Sequence, residues 1–191
     1  YYPKHRLSEE KVIEVLGELQ SQTERISCFA GTMKNINRLD EIIISRAYVS
    51  QADLLAKTEA ILTVLAQKYA KQFEVHSELK EQQLNLDISI FLEVLENLID
   101  NAMRFSVQCV RVEFRYSQSL LNVCVHDDGK GFQPDELSKA VKPYYHGESV
   151  GTEHYGMGLY ICKMLCEKHG GFLRVYNSPG GGACVEFNIA A

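Results

Sequence analysis

The apolar residues of this chain change their period at Phe105. Before it, Phe91, Val94, Leu95, Leu98, Ile99 and Ala102 recur three and four apart, the spacing of one helix face. After it, Val110, Val112, Phe114 and Tyr116 alternate with Arg111, Glu113 and Arg115, the period of a strand with one buried side. Helix and strand patterns therefore share one chain and meet at this point. The helix also has an unusual second face: Glu93, Asn97, Asn101 and Arg104 fall three or four residues apart beside the apolar stripe. Solvated helix faces favour Lys and Glu, because amides have weaker helix propensity. Two Asn residues there suggest oxygens aimed at a cation or a phosphate; taken alone, the face also fits plain surface polarity.

With 46% hydrophobic and 24% charged residues, the chain is neither disordered nor membrane-embedded. No apolar run approaches the roughly 18 residues of a membrane-spanning helix, and no signal peptide is visible. The first residue is Tyr1 rather than Met, so the expectation is a fragment whose membrane segment, where one exists, lies upstream. A net charge of −5 argues against a nucleic-acid partner held by phosphate neutralisation. The cysteines, Cys28, Cys109, Cys124, Cys162, Cys166 and Cys184, form no Cys-x-x-Cys pair and read as buried reduced thiols, which suits a cytoplasmic compartment. Cys162 and Cys166, at i and i+4 of a helical pattern, could chelate a metal in principle, but small hydrophobes are the expectation.

Residues 7–45 carry Val12, Leu19, Ile26 and Met33 at intervals of seven and predict a long amphipathic helix that needs a partner helix. A break over Tyr48 to Gln51 separates it from a second helix, about Ala52 to Gln72. A modest strand over Phe73 to Leu79 and a short one over Leu84 to Leu86 follow, with Asp87 or Ser89 as cap of the amide-bearing helix. Beyond Phe105 a hairpin turns near Ser117 to Ser119. A long segment from Gln133 to Tyr155 reads as a loop with one short helix, and loops of that length are usually functional. A helix opening at Gly156 and closing at Gly170 precedes a last hairpin, Phe172 to Tyr176 and Ala183 to Ile189.

Three glycine clusters punctuate this second half. Asp127-Asp128-Gly129-Lys130-Gly131-Phe132 ends an apolar strand; a carboxylate emerging there can accept from a buried donor such as an exocyclic amine, although an ordinary turn fits equally. Gly156-Met157-Gly158-Leu159 opens a helix, where free N–H groups and the helix dipole favour an anion. It is neither a P-loop nor a dinucleotide fingerprint. Gly180-Gly181-Gly182 alone is a hairpin turn.

In order and spacing, Asn-Leu-Ile-Asp-Asn-Ala at 97–102, the Asp127 cluster, the long loop, the Gly156 helix and the Gly180 cluster resemble the ATP-binding domain of two-component sensor histidine kinases, in the superfamily shared with gyrase, Hsp90 and MutL. The resemblance covers about Ser50 to Ala191. It implies an α+β fold: a two-layer α/β sandwich with a mixed sheet, the Bergerat-type ATP-binding fold, preceded by a long helix. Residues 1–47 would be part of a dimerisation and phosphotransfer hairpin, and 48–191 the catalytic domain. The resemblance further implies ATP and Mg²⁺ as ligands. Asn101 would coordinate the Mg²⁺, supported by Asn97. Arg104 would meet phosphate and Phe105 would flank the nucleotide. Asp127 would hold the adenine amine in a pocket shaped by Gly129 and Gly131. Gly156, Met157, Gly158 and Leu159 would line the phosphates, and Gly182 belongs to the third glycine box.

Hydrolytic members of that superfamily carry Glu where this chain has Asn97, and an amide is no general base at neutral pH, so phosphoryl transfer to a histidine is expected over hydrolysis. The implied partners are a second copy of the chain, through the long helix, and a response-regulator receiver domain. His5 lies ahead of the wrong helix, so the acceptor histidine is expected upstream of Tyr1. Two departures stand out: His154 replaces the first glycine of the second box, and the aromatic box is reduced to Tyr144 and Tyr145. Alternatives of other kinds are an anti-sigma-type Ser/Thr kinase or ATPase on the same fold, and an interaction module without ATP binding.

Overall fold

The structure is a computed structural model that describes residues 8, 11–20, 22, 23, 26, 41–143, 145 and 156–191. Residues 11–20 are helical, and Val12, Ile13, Val15, Leu16 and Leu19 are all exposed along them. The rest of the expected 7–45 helix lies largely outside the described residues, except that 42–46 are not helical. Among the described residues no helix is long and apolar enough to cross a membrane.

The Tyr48–Gln51 break is in fact structured. Strand β1, Ala47–Ser50, pairs antiparallel with β3, Gln83–Leu86, as a two-stranded ribbon. Helix α1, Gln51–Tyr69, starts at once, because the Ser50 hydroxyl caps it by accepting from the Asp53 N–H at 3.0 Å. It ends three residues earlier than the periodicity suggests. Ala70 takes the left-handed conformation and its N–H satisfies the last carbonyls, so the chain turns into β2, Gln72–Ser77.

Helix α2, Ile88–Phe105, buries the whole apolar stripe: Phe91, Val94, Leu95, Leu98, Ile99 and Ala102. Its cap, Asp87, is a hub. One oxygen accepts from the Ser89 and Ile90 N–H groups and the other from the Ser45 N–H, while the Asp87 N–H donates to Nε2 of buried His169 at 2.9 Å. This one residue ties the N-terminal linker, the start of α2 and the far end of the chain together.

Strands β4, Cys109–Ser117, and β5, Leu120–Asp127, form the expected hairpin. After the short α3, Pro134–Leu137, and helix α4, Gly158–Lys168, come β6, Phe172–Asn177, and β7, Ala183–Ala190. The main sheet runs β2-β4-β5-β7-β6. Only the β2–β4 pair is parallel, so the sheet is mixed. Val112, Phe114, Val123 and Phe187 point from it into the helices, where Phe91 meets Phe187 with ring centroids 5.9 Å apart. The two-layer α/β sandwich read from the sequence is the fold observed. The opposite face of the sheet carries Arg111, Glu113, Cys124, His126, Tyr176 and Glu186 and has no helix against it among the described residues.

Candidate functional site

The polar face of α2 forms one wall. Asn97 is exposed, and its Nδ2 donates to the Glu93 carbonyl one turn back at 2.8 Å. That bond fixes the amide and leaves Oδ1 directed at the start of α4: a Cβ built on Gly158 would sit 3.8 Å from it. Asn101, one turn on, is half-buried and makes no side-chain hydrogen bond among the described residues. The Asn97 amide and the helix N-terminus, read separately in the sequence, thus face one another. Two amide oxygens are hard donors of the kind that suit Mg²⁺, and the free N–H groups opposite suit an anion.

Arg104 behaves differently. Its guanidinium donates to Asp100 at 2.6 Å, and Asp100 also accepts from Lys68 Nζ and the Tyr69 hydroxyl, each at 3.0 Å. Burial pulls the Asp100 carboxyl upward, but the bonds from Lys68 and Tyr69 and the Arg104 charge hold it below its usual range. Arg104 therefore serves the packing of α2 on α1 as it stands.

At the end of β5, burial raises the Asp127 carboxyl above its usual range, partly offset by hydrogen bonds from the Ala183 and Gly129 N–H groups. Both bonds, at 3.2 and 2.8 Å, fall on Oδ1. Oδ2 accepts none among the described residues. Carboxylate orientation is thus set by backbone, with one oxygen left over for a donor.

The glycines here answer to the protein's own backbone. A Cβ on Gly129 would lie 2.3 Å from the Phe105 carbonyl oxygen, so the end of α2 can rest on the β5 turn only because no side chain intervenes. Gly182, at φ +79°, would place a Cβ 1.8 Å from the Asp127 carbonyl oxygen. Phe105 is thereby brought beside the Asp127 turn, with its ring partly exposed. The sequence reading assigned Gly129 to close approach of a ring; the approach it permits is first that of α2.

Two residues of this corner escaped the sequence reading. Asp128 accepts from three successive backbone N–H groups, those of Val107, Gln108 and Cys109, at 2.7–3.1 Å, and so fixes the crossing from α2 into β4. Burial raises its carboxyl, but these bonds prevail and bring it below the usual range. Asn177, at the end of β6, pairs with Phe132 through both N–H and C=O, at 2.7 and 2.8 Å, and abuts Gly131. A second Asp after Asp127, and an Asn before the glycine turn, were the signals available.

At the entry to α4, Gly156 runs against the Tyr145 backbone. Met157 is buried and Leu159 packs on the core, so only their backbones are turned to the site. Tyr144 and His154 lie outside the described residues. His169 is a core residue, and Cys162 and Cys166 are buried thiols, with Cys166 pushed up to about 12 by burial.

Residues 86–191 match the family model described as histidine kinase-, DNA gyrase B- and HSP90-like ATPase. The sensor protein KdpD of Clostridium acetobutylicum is 24% identical over 190 residues, 96% of this chain and 21% of that protein. The sensor protein SrrB of Staphylococcus aureus is 27% identical over 177 residues, 83% of this chain and 30% of that protein. The chain thus spans between a fifth and a third of these relatives. Among solved structures, full-length ShkA in complex with AMPPNP superimposes with a TM-score of 0.75 at 21% identity, over 97% of this chain and 40% of that one. The mycobacterial sensor histidine kinase MprB superimposes with a TM-score of 0.63 at 22% identity, over 76% of this chain and 97% of that one. At these identities the structural likeness is one of fold.

Proposed function

The chain belongs to the histidine kinase-, DNA gyrase B- and HSP90-like ATPase family, and we propose that residues 48–191 are the ATP–Mg²⁺-binding catalytic domain of a two-component sensor histidine kinase. The observation that carries this reading is the Asn97 amide, anchored by Glu93 and presenting its oxygen to the N-terminus of α4.

At the adenine end, Asp127 accepts the exocyclic amine with the oxygen that Gly129 and Ala183 leave over. Phe105 flanks the ring. At the phosphate end, the N–H groups at Gly158 and the dipole of α4 receive anionic oxygens. Asn97 and Asn101 would hold Mg²⁺ through their amide oxygens. Held there, such an ion would supply positive charge against that of the phosphates. Asn97 has no basic lone pair near neutral pH and leaves water unactivated at this position, so the γ-phosphoryl is preserved for a histidine supplied by another helix. Relay to an aspartate of a response-regulator receiver domain would follow. The exposed apolar side chains of 11–20 suit pairing with a second copy.

The test is ATP titration with and without Mg²⁺, together with a phosphate-release assay. The wild-type chain should bind ATP more tightly with Mg²⁺ and release phosphate at no more than the buffer rate. Asn101→Ala should lose the Mg²⁺ dependence. Asp127→Asn, which replaces a charged acceptor, should weaken binding by about 10- to 100-fold. Unchanged affinity in both variants, or steady phosphate release by the wild type, would overturn the proposal.

A further inference from the structure

The bare face of the sheet carries a second cluster, and its donors are soft. Cys124 and His126 are two apart on β5, so both side chains leave the same face. Cys184 on β7 stands directly opposite His126 in the register. Cys124 Sγ, Cys184 Sγ and a ring nitrogen of His126 all lie within 4.8 Å of one another, and Cys184 Sγ is 3.8 Å from His126 Nε2. Among the described residues no other group of His, Cys, Asp and Glu is drawn together in this way.

We propose that Cys124, Cys184 and His126 Nε2 bind one Zn²⁺ ion on this face. A tetrahedral zinc with ordinary Zn–S and Zn–N bonds sets its sulfur and nitrogen ligands roughly 3.6–3.8 Å apart, so the donors stand close to ligating positions. The outer partner is in place as well: His126 Nδ1 lies 3.2 Å from the Ser178 hydroxyl, which fixes the ring with Nε2 turned to the thiols. The Glu113 carboxylate, 3.8 Å from Nε2 and paired across β4–β5 with Cys124, is engaged by Arg111 and Arg115 and lies outside the three-donor cluster, so the fourth position falls to water. On coordination the two thiols release two protons, and the dithiolate balances the 2+ charge of the ion.

A disulfide is the rival use of two neighbouring thiols, and the register disfavours it. Cys124 pairs with Glu186 and Cys184 with His126, which makes the cysteines diagonal neighbours. Diagonal positions are about 7–8 Å apart, beyond the ~6.8 Å upper reach of a disulfide. A metal ion, which inserts between the sulfurs, bridges that gap. Cys162 and Cys166 mark the contrast: they are buried, and among the described residues neither belongs to a group of three ligating side chains. Since Asp127 follows His126 directly, an ion here would pin the strand that carries it.

The experiment is a Zn²⁺ titration of the reduced chain in competition with a chromophoric chelator, followed by Co²⁺ as a spectroscopic probe. One Zn²⁺ per chain is expected. The Co²⁺ form should show thiolate charge-transfer bands and the intense visible bands of a four-coordinate ion. Cys124→Ala and Cys184→Ser should each lose this binding, and Ser178→Ala should weaken it roughly 10-fold. Cys166→Ala should leave it intact. No Zn²⁺ uptake by the wild type, a six-coordinate Co²⁺ spectrum without thiolate bands, or undiminished binding in both cysteine variants would overturn the proposal. The wild-type spectrum decides the matter even where a variant folds poorly.

Discussion

The β5 end of the site and its α2 wall are built on opposite plans. At the β5 end the side chains of Asp127, Asp128 and Asn177 are held by backbone. Asp127 takes two N–H groups and Asp128 three. Asn177 closes a two-bond ring with Phe132, and Gly182 lies against the Asp127 carbonyl. Along α2, Asn97 has one bond to its own helix, Asn101 has none among the described residues, and Arg104 turns to Asp100. The first arrangement costs no reorganisation when a ligand arrives; the second takes its final form with the ligand. That division suits a nucleotide whose base is recognised by shape and whose phosphates and ion are recognised by charge.

The sharpest way to break the comparison is Gly182→Ala. A methyl group there collides with the Asp127 carbonyl at a backbone conformation that L-residues avoid. Overpacking and strain together should cost roughly 2–5 kcal/mol. Urea denaturation should show it as a lower midpoint, and ATP affinity should fall with it because Asp127 is displaced. A variant as stable as the wild type would mean that the β5 end can give, and that its backbone contacts do not fix the carboxylate.

A smaller effect separates the two adjacent carboxylates. Asp128→Ala should cost about 1–2 kcal/mol at pH 7, as expected for several hydrogen bonds at a solvated corner. The folded state holds the Asp128 pKa below its ordinary value of 3.8, so this stabilisation is present above that value and is lost as pH falls through the lower, folded pKa. Asp127 has the opposite sign. Its folded pKa is raised, so its contribution is complete below 3.8 and lost as pH rises through the higher, folded pKa. Asp127→Asn should therefore leave stability at pH 7 unharmed while it weakens ATP binding. Urea midpoints of both variants at pH 3 and pH 7 measure the contrast. Equal losses at pH 7 would erase the distinction between a ligand-facing and a structural carboxylate.

The α2 wall was legible because its signal is local: the apolar stripe and the amides at 97 and 101 repeat at one helical period. The β5 end was legible only as a set of glycines. Gly129 needs to be glycine because of Phe105, and Gly182 because of Asp127 more than fifty residues away, and no period encodes such contacts. For the same reason Asp128 and Asn177 went unassigned. β1 was missed because four residues with a partner beyond α1 look like a linker until the pairing with β3 is seen. The Cys124–His126–Cys184 cluster spans two strands whose register depends on the whole sheet; only Cys-x-His on one strand was visible in the chain.

The smallest expected effect falls on Arg104, and it probes the wall from the other side. Arg104→Ala removes a half-buried pair with Asp100, but Lys68 and Tyr69 remain on that carboxylate, so the stability loss should stay below about 1 kcal/mol. Its effect on ATP depends on competition. A guanidinium at 2.6 Å from Asp100 must give up that bond to reach a phosphate, so the two gains largely cancel and affinity should change less than about threefold. If Asp100 is the competitor, Asp100→Asn should free Arg104 and strengthen ATP binding, and the gain should vanish in the Arg104→Ala background. A cycle that closes in this way sharpens the comparison, because it shows the wall keeping a cation in reserve. A loss above about tenfold from Arg104→Ala alone would instead mean that the wall, like the β5 end, is already set for its ligand before binding.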